Sequence, residues 1–153
     1  MKKLQTLLVL LTVLITGFTA NVNAQTTTAK STGIVIDAKG AIHDYHGTKL
    51  GYIDKNNIVR NTKGQKIYFI DKSGNVIDVN GKKLGKAQKN GNFYRTNGTS
   101  ILTTKDNGEE TCEILDPKRH NMGTVHKNYK QHACAAHCLA LSNRQQRSIN
   151  LQP

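Results

Sequence analysis

From Gly33 onward the apolar residues come in short bursts, each closed by an aspartate or asparagine and then a glycine: IVIDAKG, AIHDYHG, IVRNTKG, YFIDKSG, NVIDVNG. Such bursts are too short for amphipathic helices, and their turn-residue boundaries predict short β-strands. The pattern also has a period. Gly40, Asn57, Gly74, Gly91 and Gly108 stand 17 residues apart, and so do Gly47, Gly64, Gly81 and Gly98. Apolar columns keep the same step: Leu50, Ile67, Leu84 and Ile101; Ile36, Ile53, Ile70 and Ala87; Ile42, Val59, Val76 and Phe93. Two ladders of turn residues interleaved with three apolar columns mark an internal repeat.

Each 17-residue unit has room for two short strands and two tight turns. Ser73-Gly74, Asn80-Gly81, Asn90-Gly91 and Asn97-Gly98 are pairs that tolerate the positive φ of hairpin turns. No crossover helix fits in that space, so every neighbouring pair of strands is expected to be antiparallel. After Gly108 the step breaks, and four extra residues in the loop Lys105 to Cys112 restore it: Ile114 then joins Phe93, Asp116 joins Asp78, and Met122-Gly123 joins Leu84-Gly85. An isolated hairpin is marginal in water, so the units must cover one another. About five units lie between Ile34 and Lys127. Closing them into a shallow β-barrel hides the sheet edges, which a linear solenoid, the alternative, would expose.

Gly51-Tyr52-Ile53-Asp54, Tyr68-Phe69-Ile70-Asp71, Gly74-Asn75-Val76-Ile77-Asp78, Gly81 and Leu84-Gly85, behind a leader, resemble the five-fold β-flower family of exported bacterial hairpin-repeat proteins. The tail Met122 to Ala140 is similar to that family's ending, and the resemblance runs from about Gly33 to Leu141. It implies a shallow ring-like barrel and an exported location, and no reaction or catalytic residues. Lys86-Ala87-Gln88 and Leu102-Thr103-Thr104 depart from the Gly-Tyr-Ile type of triplet, so the symmetry is expected to be imperfect.

The ends differ from the repeats. Lys2 and Lys3, an apolar core from Leu7 to Phe18 and the small residues Val22-Asn23-Ala24 read as a secretory signal over residues 1–24. The core is shorter than the roughly 20 residues a spanning helix needs, and no later segment replaces it, so the mature chain has no expected transmembrane segment. Residues 25–32 are a polar, threonine-rich lead before the repeat domain, residues 33–127. Lys130 to Gln146 lacks Gly and Pro. With Ala133, Ala136 and Ala140 on one stripe and Cys134, Cys138 and Leu141 on the next, it predicts a helix over 128–146 that plugs one barrel mouth, with 147–153 frayed.

Composition changes the picture in one respect: 22 Lys+Arg against 10 Asp+Glu give a formal charge of +12, and loss of Lys2 and Lys3 leaves +10. A basic exported surface suits anionic partners such as envelope lipid or polysaccharide. The turn lysines Lys39, Lys55, Lys72 and Lys89 on one rim, and Lys63, Lys82 and Lys83 on the other, are the candidate binding residues. Nucleic acid is disfavoured, because the aromatic residues that could stack on bases are needed in the strands.

Three further constellations bear on chemistry. His132, Cys134, His137 and Cys138, with His120 and His126 in reserve, are soft metal-ligand types, but their spacing matches no closed zinc motif and the cysteines lie on the core stripe. No metal or cofactor is therefore expected. In an oxidising compartment a bridge from Cys112 to Cys134 or Cys138 would pin the plug to the ring, typically contributing about 2–4 kcal/mol. A nucleophile from adjacent His137 and Cys138 is disfavoured, since neighbouring helix positions diverge. The repeated carboxylates (Asp37, Asp54 and Asp71; Asp44, Asp78 and Asp116, with Asn61 in their column) each precede a turn, which favours bonding to turn N–H groups over acid–base catalysis. Asp71-Lys72-Ser73-Gly74 is an incomplete calcium loop, and the Asn97-Gly98-Thr99 sequon coincides with a turn. The expectation is an exported, non-enzymatic binding module, periplasmic or secreted. The alternatives are a small metal-binding or enzymatic protein using the His/Cys cluster, and a structural assembly subunit.

Overall fold

The computed structural model describes residues 33–141; the expected signal, lead and frayed tail, and the last part of the expected helix, lie outside the described residues. Eleven strands follow one another: β1 (Ile34–Ile36), β2 (Ala41–Asp44), β3 (Lys49–Ile53), β4 (Ile58–Asn61), β5 (Lys66–Ile70), β6 (Asn75–Asp78), β7 (Lys83–Ala87), β8 (Phe93–Tyr94), β9 (Ser100–Asn107), β10 (Thr111–Leu115) and β11 (Asn121–His126). Sequential neighbours pair antiparallel, and the sheet closes into a barrel by pairing β1 with β11. That last pair corrects the all-antiparallel expectation. Ile34, Val35 and Ile36 lie parallel to Gly123, Thr124 and Val125. An odd number of alternating strands leaves the first and last pointing the same way, so closure must be parallel. Gly123 makes the seam possible, because a Cβ there would run into the backbone carbonyl of Ile34.

The turns are built alike. Asp37 N–H donates to Ala41 C=O (3.1 Å) and Gly40 N–H to Asp37 C=O (3.0 Å). Oδ1 of Asp37 then accepts from the N–H groups of Lys39 (2.8 Å) and Ala41 (2.9 Å). Asp44, Asp54, Asn61, Asp71 and Asp78 repeat that double acceptance. The repeated carboxylates are thus turn caps, as their position predicts. The fourth turn residue adopts a left-handed backbone: Gly40, Gly47, Gly64, Gly74, Gly81, Gly91 and Gly98 all have φ between 78° and 89°, and Gly108 (81°) shares it directly after Asn107 in the lengthened hairpin. Asn57 (60°) and Arg119 (69°) take this conformation where the ladder lacks glycine.

Because the strands alternate, the ten connections fall on two rims, five on each. One rim carries the turns after β1, β3, β5, β7 and β9; the other carries those after β2, β4, β6, β8 and β10. The four-residue insertion lies on the first rim. It lengthens the hairpin as paired strand, with Asn107 opposite Thr111 and Asp106 opposite Cys112, so Cys112 belongs to β10 and not to a loop.

Ile42, Val59, Val76 and Phe93 are fully buried, as is Ile114, which the four-residue insertion aligns with them. Ile36, Ile53 and Ala87 are buried too, whereas Leu50, Ile67, Leu84 and Ile101 are only half-buried against the same core. The interior also receives a column that the apolar pattern hides: Ile34, Gly51, Tyr68, Gly85 and Leu102, again 17 apart. Gly51 and Gly85 leave no room for a side chain; Tyr68 sends a whole phenol into the barrel and is fully buried.

The terminal segment completes this core. Ala133, Cys134, Ala135, Ala136, Cys138 and Leu139 are buried in one cluster with the strand residues. Its geometry departs from one regular helix. Lys127–Cys134 is 3-10, with Tyr129 at non-helical φ −116°, ψ 17°, and an α-helix, α1, runs over 135–141. The tight first part lets Tyr129, Lys130 and Gln131 meet the rim: the Gln131 amide donates to Ala87 C=O (3.0 Å), and any side chain added at Gly40 would strike the Tyr129 ring. We call this the helix rim and the opposite one the open rim. No helix among the described residues is long and apolar enough to cross a membrane.

Candidate functional site

The interior gathers the sequence's reactive-looking residues and then quiets them. Cys134 Sγ approaches the Tyr68 hydroxyl at 3.6 Å, and the rings of His137 and Phe93 lie 5.9 Å apart. Burial pushes the Tyr68 phenol well above its ordinary range, and the Cys134 and Cys138 thiols add to the effect. The hydrogen bond with Cys134 pushes the Cys138 thiol up, and burial adds to this. A raised thiol is a poor nucleophile and a poor metal ligand at neutral pH. His132 is buried, its Nδ1 has no hydrogen-bond partner, and burial lowers its pKa to about 4. Among the described residues no group of three His, Cys, Asp or Glu side chains converges as a metal site. His120 is occupied instead by Asp116 (Nδ1 to Oδ2, 2.9 Å), and His126 caps the 3-10 segment by accepting from Asn128 N–H.

The expected bridge from Cys112 to Cys134 or Cys138 is not formed: all three cysteines are free and buried. The thiols face different neighbours. Cys112 Sγ donates to Asp106 Oδ1 (3.2 Å), while Cys134 and Cys138 face Tyr68. The lengthened hairpin is tied to the plug by an ion pair, Lys130 Nζ to Asp106 Oδ1 at 2.8 Å, and by Lys127 N–H donating to Glu110 C=O (2.8 Å). Lys130 holds Asp106 below the usual carboxylate range, with the Cys112 thiol assisting. Burial and then Asp106 push Cys112 upward. Sequence reading missed this pair because neither residue belongs to a repeat column.

The candidate lysines lie where the period puts them. Lys39, Lys55, Lys72 and Lys89 are exposed on the helix rim; Lys63, Lys82 and Lys83 are exposed on the open rim. The two rims differ in what surrounds them. On the helix rim the lysines alternate with Asp37, Asp54 and Asp71; Lys127 and Lys130 add to them, and the hairpin tip on the same rim carries Asp106, Glu109 and Glu110. Around the open rim Lys49, Lys66, Arg95, Lys118 and Arg119 join the three candidates, against only Asp44, Asp78 and Asp116. Those three carboxylates already accept turn N–H groups. Lys49 and Lys66 lie over the rings of Tyr52 (5.6 Å) and Phe69 (5.0 Å), which orients their charges along the wall.

Two other sequence features resolve as turns. Asn97 of the sequon accepts from Thr99 N–H (3.1 Å). The Asp71 to Gly74 stretch is an Asx-capped turn whose carboxylate also takes the Asn75 side-chain amide (2.8 Å).

No family model matches this chain, and no curated protein or solved structure matches it either.

Proposed function

We propose that the chain is an exported, non-enzymatic binding module of the five-fold β-flower kind, and that its open rim holds an anionic component of the cell envelope. The supporting observation is the unequal charge of the two rims. Cations dominate the open rim, where eight lysines and arginines surround three carboxylates. The helix rim has nearly balanced charge and is covered by the terminal segment. A catalytic role gains little support, since the carboxylates are structural caps and the Cys112 and Cys138 thiols are raised.

The test compares two triple charge reversals of equal net change. Lys63→Glu/Lys82→Glu/Lys83→Glu strips the open rim; Lys39→Glu/Lys55→Glu/Lys72→Glu strips the helix rim. Retention on cell-envelope fractions or anionic vesicles should fall as salt rises from low to physiological strength. At ~1 kcal/mol per lysine near an anionic surface, the open-rim variant should lose about two orders of magnitude in affinity. The helix-rim variant should lose much less. Salt-indifferent retention, or equal losses in the two variants, would reject the reading.

A further inference from the structure

The repeat abandons its own grammar in one place. The column that opens each helix-rim turn is Asp37, Asp54, Asp71 and then Gln88; the column that opens each open-rim turn is Asp44, Asn61, Asp78 and then Arg95. In the first three units every one of these residues accepts two backbone N–H groups. Neither Gln88 nor Arg95 caps its turn that way; Asn90 and Asn97 each take one N–H instead. The turns themselves survive: Gly91 N–H still reaches Gln88 C=O (2.9 Å) and Gly98 N–H reaches Arg95 C=O (2.9 Å). The fold therefore does not require Arg95. A local rule broken without structural gain marks a place shaped by something other than folding.

Gln88 and Arg95 line one surface cleft of about 270 Å³ with Lys83, Lys86, Tyr94 and Thr96. Lys86 sits across the β7–β8 ladder from Tyr94, and the Asn92 amide donates to the Tyr94 hydroxyl (3.4 Å), which steadies the ring. No carboxylate lines the cleft, and none of the ion pairs among the described residues involves Lys83, Lys86 or Arg95. Lys83 does act at longer range, where it helps to lower Asp71. Two earlier units lack this character. In the first, the matching cleft holds Val35, His43, Tyr45 and the carboxylate of Asp44. In the second, Arg60 and Asp54 stand where Tyr94 and Gln88 stand and pair at 2.8 Å. The fourth unit alone among these offers three cations around one aromatic ring with no acid.

We propose that this cleft is an anion site for one acidic sugar residue, a uronate or sulfated pyranose of an envelope polysaccharide. Lys83, Lys86 and Arg95 would meet the anionic group, Gln88 and Thr96 the hydroxyls, and the Tyr94 ring a sugar face. The chemistry of the lining selects this class. It contains no aliphatic side chain to receive an acyl chain, and its volume, near the low end for ligand pockets, suits a single ring. Arg supplies a planar fork suited to carboxylate or sulfate. The assignment rests on the anionic-envelope reading and narrows it to one cleft and one ligand class.

Hexameric oligogalacturonate, titrated into ¹⁵N-labelled protein, should shift amides between Lys83 and Gly98 first, with an affinity that falls with salt; maltohexaose should shift none. Arg95→Asp restores the residue type of the other units. It should weaken oligogalacturonate binding at least tenfold while the midpoint of thermal unfolding holds or rises. Lys86→Ala, which leaves both turns untouched, should weaken binding severalfold. Unchanged binding in both variants, or shifts spread evenly around the open rim, overturns the cleft while leaving the rim reading in place. Shifts at Lys83–Gly98 with inorganic phosphate or phosphatidylglycerol vesicles, and none with oligogalacturonate, overturn the sugar assignment. Absence of salt-sensitive binding to any of these anions overturns both.

Discussion

Gly40 and Gly47 occupy equivalent turns on opposite rims, with φ of 78° and 82°. Locally they are the same object: an aspartate caps each turn, and a left-handed glycine closes it. Globally they differ. Gly40 is buried under Tyr129, while a side chain at Gly47 would meet nothing within 4 Å. Gly74 is crowded first by Ala87 C=O and Gly91 by the Thr104 side chain, with Gln131 and Lys130 of the terminal segment next; Gly81 and Gly98 repeat the openness. A repeated sequence therefore yields two rims of unlike duty. The terminal segment takes one rim into the core, which frees the other to carry charge.

The interior that the covered rim encloses should dominate stability. Tyr68→Ala removes a fully buried phenol from the barrel centre and should cost about 3–5 kcal/mol by urea unfolding. Tyr52→Ala, on the half-exposed wall, should cost a small fraction of that. Similar losses at both would mean that the barrel is not filled as described.

His132 ties the covered rim to pH. Its folded pKa of about 4 lies below the unfolded value of about 6.5, so the unfolded chain binds the proton more readily. The contribution of neutral His132 is complete above pH 6.5 and is lost as pH falls toward 4, by about 3 kcal/mol at roughly 1.4 kcal/mol per unit. Asp71 is lowered from 3.8 chiefly by its bond from the Asn75 side chain, so its contribution fades only below that pH. In His132→Leu the decline between pH 6.5 and 4 should largely vanish. A decline as steep as in the parent would place the cause elsewhere.

The glycine pair separates turn strain from packing. Gly40→Ala and Gly47→Ala should share a left-handed penalty of about 1–2 kcal/mol. Gly40→Ala should add about 1–3 kcal/mol for the collision with Tyr129. Equal losses would mean that Tyr129 does not press on the turn.

Much of this architecture was legible because 17-residue spacing, turn glycines and capping aspartates are local signals that repeat. Strand placement, the turn role of the acids, barrel closure and the terminal plug all follow from them. Three features were not legible, each for a physical reason. The parallel seam depends on the parity of the strand count, which a two-residue strand such as Phe93–Tyr94 makes hard to read. The inward column of Ile34, Gly51, Tyr68, Gly85 and Leu102 mixes the smallest and one of the largest side chains, so no apolar count detects it. The Cys112 bridge was expected from compartment and spacing, but thiol direction is set by strand pairing, which turned Cys112 toward Asp106. The candidate binding lysines fell on the expected rims; the rims' unequal character came only from the terminal segment and the lengthened acidic hairpin.

The plug is tested most directly by thiol labelling of purified, unreduced protein with a maleimide, read by intact mass. All three cysteines are free and buried, with Cys134 and Cys138 under the helix rim. The native protein should therefore stay unlabelled, and the denatured protein should take up three labels. Rapid native labelling of Cys134 or Cys138, or a denatured protein that accepts only one label because a bridge exists, would contradict the capped barrel.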